Sequence, residues 1–137
     1  MMWYAMSLAT ALIVDDSPEI RGLLRRSLAS LDFAVIEASN GREAVQLARQ
    51  CRPAVIVLDL CMPGMDGWDV VAFLRSDPAL EEVPIVLVTS YYGSSIIQAA
   101  RRAGCQHVIA KPFELGEITR TVTALTSVSD RYTPSYA

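Results

Sequence analysis

Four short apolar runs end in side chains that could carry chemistry. Asp15-Asp16 follows residues 11–14, Asp59 follows residues 54–58, Thr89 follows residues 85–88, and Lys111 follows residues 108–110. Carboxylates gathered at one edge repel and raise one another's pKa unless a cation sits among them. Oxygen ligands without a His or Cys cluster suit a hard divalent ion. Mg²⁺ takes one or two carboxylates, keeps several waters and bridges to phosphate oxygens. A carboxylate is also a nucleophile toward phosphorus when the charge on the transferring group is neutralised and the group is held in line. Asp59 is the best placed candidate. It ends the most apolar run and precedes Leu60-Cys61-Met62-Pro63-Gly64-Met65-Asp66-Gly67, whose glycines and proline let backbone approach a ligand. Thr89 would supply a hydroxyl, and Lys111 a compact charge, to the phosphoryl oxygens. Eleven of the twelve basic residues are Arg, and the only Lys is Lys111. A flexible ammonium follows an arriving phosphoryl group where a planar guanidinium would impose its own fork geometry.

The elements that must position these groups follow from periodicity. Runs of strand length at 11–14, 34–38, 54–58, 85–88 and 108–110 alternate with segments at helical spacing, the signature of βαβ units around a parallel sheet. The first, third and fourth runs are apolar throughout, as strands covered on both faces must be, and are expected at the centre. Ile20, Leu23, Leu24, Leu28 and Leu31 mark the first helix, and Leu115, Ile118, Val122 and Leu125 the last. Others are expected over 42–50, 67–75 and 95–103. Asp16-Ser17-Pro18-Glu19 offers a cap with Pro in the first turn, Asn40-Gly41 is a turn signal, and Gly104 stands where a C-terminal glycine is expected. Asp66 and Asp69 read as turn and helix-start residues. In an open parallel sheet ligands bind beyond the carboxyl ends of the strands, which is where the four chemical positions fall.

The 137 residues fit one domain with a substantial core, at 52% hydrophobic and 20% charged residues and a mean hydropathy of +0.30. A net charge of -3 and a pI near 5.1 exclude the basic footprint of a nucleic-acid binder. No apolar stretch approaches the roughly 20 residues that span a bilayer. The apolar start, Met1 to Met6, lacks the basic n-region of a secretory signal, so the expected location is cytoplasmic. Cys51, Cys61 and Cys105 are odd in number and form no CxxC, which points to reduced thiols rather than disulfides or zinc. His107, the only histidine, reads as a solvated residue. Periodicity ends near Ser127, so the expected organisation is an extension over 1–9, one domain over 10–127 and a tail over 128–137.

Asp15-Asp16, Asp59 with Met62-Pro63-Gly64-Met65-Asp66-Gly67, Thr89, and Lys111-Pro112-Phe113, each at a strand end and in this order, resemble the motif set of response-regulator receiver domains. The match runs from about Thr10 to Ser127. The resemblance implies a doubly wound α/β fold, (βα)5, with a five-stranded parallel sheet in order 2-1-3-4-5 and helices on both faces. It implies that Asp16 and Asp59 ligate Mg²⁺ with the backbone carbonyl of Cys61, while Asp15 acts through water or positions the metal. It further implies that Asp59 accepts phosphate from a histidine kinase or phosphotransfer protein, that the Lys111-Pro112 bond is cis, and that the face of the fourth helix and fifth strand docks a downstream protein or a second phosphorylated copy.

One position departs from the pattern: the residue three before the Lys, aromatic in the family, is Val108. The usual coupling of Thr and aromatic therefore does not carry over, and Tyr91 and Tyr92 are substitutes or loop aromatics covering the sheet edge. Two other functions remain in view. A Mg²⁺-dependent phosphohydrolase with an Asp nucleophile would resemble the haloacid-dehalogenase-like enzymes. Those carry DxDx(T/V) after the first strand, where this chain has Asp15-Asp16-Ser17-Pro18. A degenerate receiver would bind partners without phosphorylation.

Overall fold

The computed structural model describes residues 5–126 and 132–135. In chain order the elements are β1 (Ala5–Leu8), β2 (Thr10–Val14), α1 (Pro18–Ala29), β3 (Ala34–Ala38), α2 (Gly41–Cys51), β4 (Val55–Asp59), α3 (Gly67–Ser76), β5 (Ile85–Thr89), α4 (Ser94–Ala103), β6 (His107–Ala110), α5 (Leu115–Leu125) and β7 (Tyr132–Ser135). The strands β2 to β6 form a parallel sheet in the order β3-β2-β4-β5-β6, which is 2-1-3-4-5 counted over this sheet's own strands. The three wholly apolar runs do lie at the centre. Every residue of β4 and β5 is buried, whereas only Ala38 is buried in the edge strand β3.

Alternation along each strand divides the core between two faces. Leu12, Ile56, Leu58 and Leu87 pack with Val45 of α2, Val71 and Leu74 of α3, and Ala100 of α4. Ile13, Val57, Val88 and Ile109 pack with Leu24 and Leu28 of α1 and with Ile118 and Val122 of α5. Burying each Leu or Ile contributes ~1.5–3 kcal/mol, more than a helix cap, so the two apolar layers fix the register and the caps trim the ends. A slip by one residue would turn every inward side chain outward.

The ends are trimmed as the sequence suggests. Ser17 accepts from the Ile20 amide at 3.3 Å with Pro18 opening α1. Asn40 accepts from the Glu43 amide at 2.9 Å while Glu43 accepts from the Ser39 amide at 3.0 Å. Asp66 caps α3 through the Asp69 amide at 3.0 Å, and Gly104 ends α4 with a φ of 88°. At the end of the sheet away from the carboxyl termini, Arg75 donates to Leu80 O (2.9 Å), Val83 O (2.7 Å), Gly104 O (2.9 and 3.1 Å) and Gln106 Oε1 (3.3 Å). That one side chain ties α3 to the approaches of β5 and β6.

Within the expected tail over 128–137, β7 pairs antiparallel with β1 from Ala5↔Ser135 to Leu8↔Tyr132. A four-residue ladder rests on backbone pairing, which side-chain periodicity does not report. Residues 1–4, 127–131 and 136–137, and the expectations placed on them, lie outside the described residues. No described helix is long and apolar enough to cross a membrane.

Candidate functional site

Because β2, β4, β5 and β6 are parallel and adjacent, their carboxyl ends bring Asp15, Asp59, Thr89 and Lys111 to one edge. Asp15 is 1% exposed and fully engaged. Its Oδ1 accepts from the Ser17 amide at 2.9 Å, its Oδ2 accepts from Lys111 Nζ at 3.0 Å, and its backbone carbonyl accepts from Arg21 at 2.8 Å. Arg21 is itself oriented by Glu37 of β3 at 3.2 Å. Asp59, 5% exposed, accepts from the Cys61 amide at 3.2 Å and lies 3.4 Å from Lys111 Nζ. Asp16 stands exposed beside them, and one oxygen from each of Asp15, Asp16 and Asp59 lies within 4.8 Å of the others.

Three carboxylates and one ammonium leave two negative charges uncompensated at this edge. Burial, and then the charge of Asp15, hold the Asp59 carboxyl above its ordinary value, against the opposing pull of Lys111 and the Cys61 amide. Burial pushes the Lys111 ammonium down, but the hydrogen bond and charge of Asp15, followed by those of Asp59, more than reverse this and leave it raised. A doubly charged hard cation is the group this donor set fits: all oxygen, two charges short of neutrality, with one carboxylate exposed for entry.

The supporting backbone is close-packed. A Cβ on Gly67 would stand 2.7 Å from Asp59 O and from Leu60 Cα, so only glycine lets α3 start against the acceptor strand. The Lys111 amide donates to Thr89 O at 2.8 Å, joining the ends of β5 and β6, and the Lys111-Pro112 bond is cis as the resemblance implies. Thr89 is 1% exposed, and its hydroxyl oxygen accepts from the Tyr91 amide at 3.0 Å. Val108 is buried in the core, and a groove of about 340 Å³ beside it is rimmed by Tyr92, with Ile97 and Arg101 of α4. Tyr91 and Tyr92 are exposed, as are Cys61 and His107. A groove of about 580 Å³ lies at the opposite end of the sheet, among Pro53, Pro78, Glu82 and Pro84, remote from these groups.

Sequence reasoning missed three supports: Arg21 on the Asp15 carbonyl, the Ser17 amide on Asp15, and the Tyr91 amide on Thr89. Ser17 was read only as a cap, and nothing in the linear pattern pairs Arg21 with Glu37.

Comparison with known proteins agrees with this geometry. Residues 11–123 match the family described as response regulator receiver domain. The chain is 31% identical to protein PilH of Pseudomonas aeruginosa over 118 residues, covering 86% of this chain and 98% of that one. It is 39% identical to response regulator MprA of Mycolicibacterium vanbaalenii over 83% of its own length but only 48% of the relative's, so it spans about half of that protein. The solved structure of the chemotaxis protein CheY4 of Vibrio cholerae superposes with a TM-score of 0.83 at 29% identity, covering 88% of this chain and all of that one. With the motif set converged on one sheet edge and the match spanning most of its length, this chain belongs to the response regulator receiver domains, the phosphoacceptors of two-component signalling.

Proposed function

We propose that Asp59 is the phosphoacceptor and that the domain, residues 10–127, takes its phosphoryl group from the phosphohistidine of a kinase or phosphotransfer protein in the cytoplasm. The observation that carries this is the convergence of the buried Asp59 with Asp15 and Asp16 within 4.8 Å and with Lys111 at 3.4 Å. An Asp59 carboxylate oxygen attacks phosphorus, an O–P bond forms as the P–N bond of the donor breaks, and the electron pair leaves with the imidazole nitrogen. Lys111 follows the charge on the phosphoryl oxygens, and the Thr89 hydroxyl reaches one of them. Attack of water on the same phosphorus later breaks the O–P bond and restores the carboxylate. The chain thus catalyses only its own modification.

Asp16, Asp59 and the Cys61 carbonyl would hold Mg²⁺, with Asp15 acting through water because its own oxygens already serve Ser17 and Lys111. Bound there, Mg²⁺ neutralises the clustered carboxylates and the transferring group. Modification then changes binding to a downstream protein or to a second copy. The intact acid cluster and Lys111 favour this over a phosphate-independent module, and the departure at Val108 concerns the switch rather than the chemistry.

Beryllofluoride, which caps an acceptor carboxylate as a phosphoryl mimic, tests the reading. A bound ¹⁹F resonance that requires Mg²⁺ and is lost in Asp59→Asn is expected. A resonance that survives Asp59→Asn, or none at all in protein that binds Mg²⁺, would overturn it.

A further inference from the structure

The helix pair α2 and α3 leaves a groove of about 400 Å³ on the outer surface. Its floor and far wall are Val45, the half-buried Met65 and Phe73, whose side chain is left 46% exposed although it is the only Phe of α3. Phe73 thus stands exposed beside the buried Val45 and the half-buried Met65, and the inside of the groove is apolar. Its rim is basic. Arg42 and Arg49 lie seven residues apart on α2, two turns and about 10 Å along one face, with Gln46 between them. Arg42 belongs to none of the ion pairs among the described residues. Arg49 meets Asp77 only at 3.6 Å with its side chain 53% exposed, a contact that adds little and yields readily. A chain of net charge -3 therefore carries a positive, apolar-floored slot on one helix pair.

The slot is also wired to the acidic site. Met65 belongs to the loop between β4 and α3, and the same loop carries the Cys61 amide that donates to Asp59. A Cβ on Gly41, the first residue of α2, would stand 2.7 Å from Met65 O, so helix and loop are in direct contact.

We propose that this groove docks an acidic amphipathic helix of a partner protein, its apolar stripe against Val45, Met65 and Phe73 and its carboxylates on Arg42 and Arg49. Helices laid in grooves are read by apolar anchors at i, i+3/4 and i+7, and two arginines two turns apart match acidic residues at the same spacing. The charge pattern fixes the occupant's sign, and the exposed Phe fixes its apolar face. Any dependence of the docking on the state of Asp59 rests on the function proposed above; the docking itself does not.

The probe is a helical peptide of about four turns with Leu at i, i+4 and i+7 and Glu on both flanks; a second peptide replaces each Glu by Lys. ¹⁵N NMR titration of the unmodified full chain is expected to shift Arg42, Val45, Gln46, Met65 and Phe73 with the Glu peptide. The Lys peptide should bind at least about tenfold more weakly. Phe73→Ser should weaken the Glu peptide about tenfold, as should the pair Arg42→Glu and Arg49→Glu. All three positions are exposed, and an unchanged spectrum elsewhere shows that the variants fold. Shifts centred on α4 and β6, equal affinity for both peptides, no binding, or shifts at these residues on raising protein concentration alone would each overturn the proposal, the last by showing a second copy as the occupant. Repeating the titration with Mg²⁺ and beryllofluoride asks separately whether the site controls the groove.

Discussion

Lys111→Met isolates the charge that holds the acidic edge together. Methionine keeps much of the apolar stem and removes only the ammonium. Nζ lies 3.0 Å from Asp15 Oδ2 and 3.4 Å from Asp59 Oδ1, and both carboxylates are buried. At an effective dielectric constant near 20 each contact carries about 5 kcal/mol of Coulomb attraction. Much of that is offset by the desolvation of Lys111, whose side chain is 18% exposed, and by proton uptake on Asp59, already raised by burial. Removing one partner of a buried pair costs about 3–5 kcal/mol, and partial exposure puts this case at the lower end, about 3 kcal/mol. For a domain of this size that is roughly 10 °C in Tm. The assay is urea unfolding in EDTA, near neutral pH and again in mild acid, then with millimolar Mg²⁺. Losing the ammonium removes the pull that opposes burial at Asp59 and drives that carboxyl further up. A raised carboxyl stabilises the fold at low pH and loses that contribution as pH rises through its folded value, so the deficit should shrink on acidification. Mg²⁺ should return more than half of it. A deficit under about 1 kcal/mol in EDTA, or one that Mg²⁺ leaves unchanged, would refute the charge balance drawn here.

Three further outcomes are expected. In EDTA the wild-type protein should lose stability as pH rises through the folded value of Asp59, held above its ordinary range by burial first and Asp15 second. Asp59→Asn should flatten that fall and unfold at higher urea near neutral pH; a midpoint at or below wild type would contradict it. Gly67→Ala would place a methyl 2.7 Å from Asp59 O and Leu60 Cα, costing about 2–3 kcal/mol by calorimetry and slowing beryllofluoride capture, and wild-type behaviour in both would show that α3 yields freely. Arg75→Met deletes five hydrogen bonds to neutral acceptors far from the acidic edge, so about 3 kcal/mol should go with Mg²⁺ affinity unchanged.

The parts of this fold legible in the sequence are those that side-chain pattern controls. Burial on both faces requires unbroken apolar runs at 11–14, 54–58 and 85–88, which is why the sequence alone places them at the centre of the sheet. Their polar terminators, Asp15, Asp59 and Thr89, then had to share an edge with Lys111. Strand order came from the resemblance, because apolar runs specify burial and not neighbours. The contacts that hold the site are harder to read. Arg21 meets the Asp15 carbonyl only because β3 lies beside β2 and presents Glu37. The demand for glycine at Gly67 comes from a backbone approach that no spacing encodes. Arg75 stands in the last turn of α3, and its partners are carbonyls of the segments leading into two later strands, which no local spacing pairs with it. The β1–β7 pair joins segments at opposite ends of the chain, each too short for a periodic signal.

Intact-mass measurement after incubation with Mg²⁺ and acetyl phosphate or phosphoramidate tests the central claim most directly. One added phosphoryl group, prevented both by EDTA and by Asp59→Asn, is the expected result. An added group that survives Asp59→Asn, or none on a chain that demonstrably binds Mg²⁺ and folds, would contradict the assignment of Asp59 as acceptor.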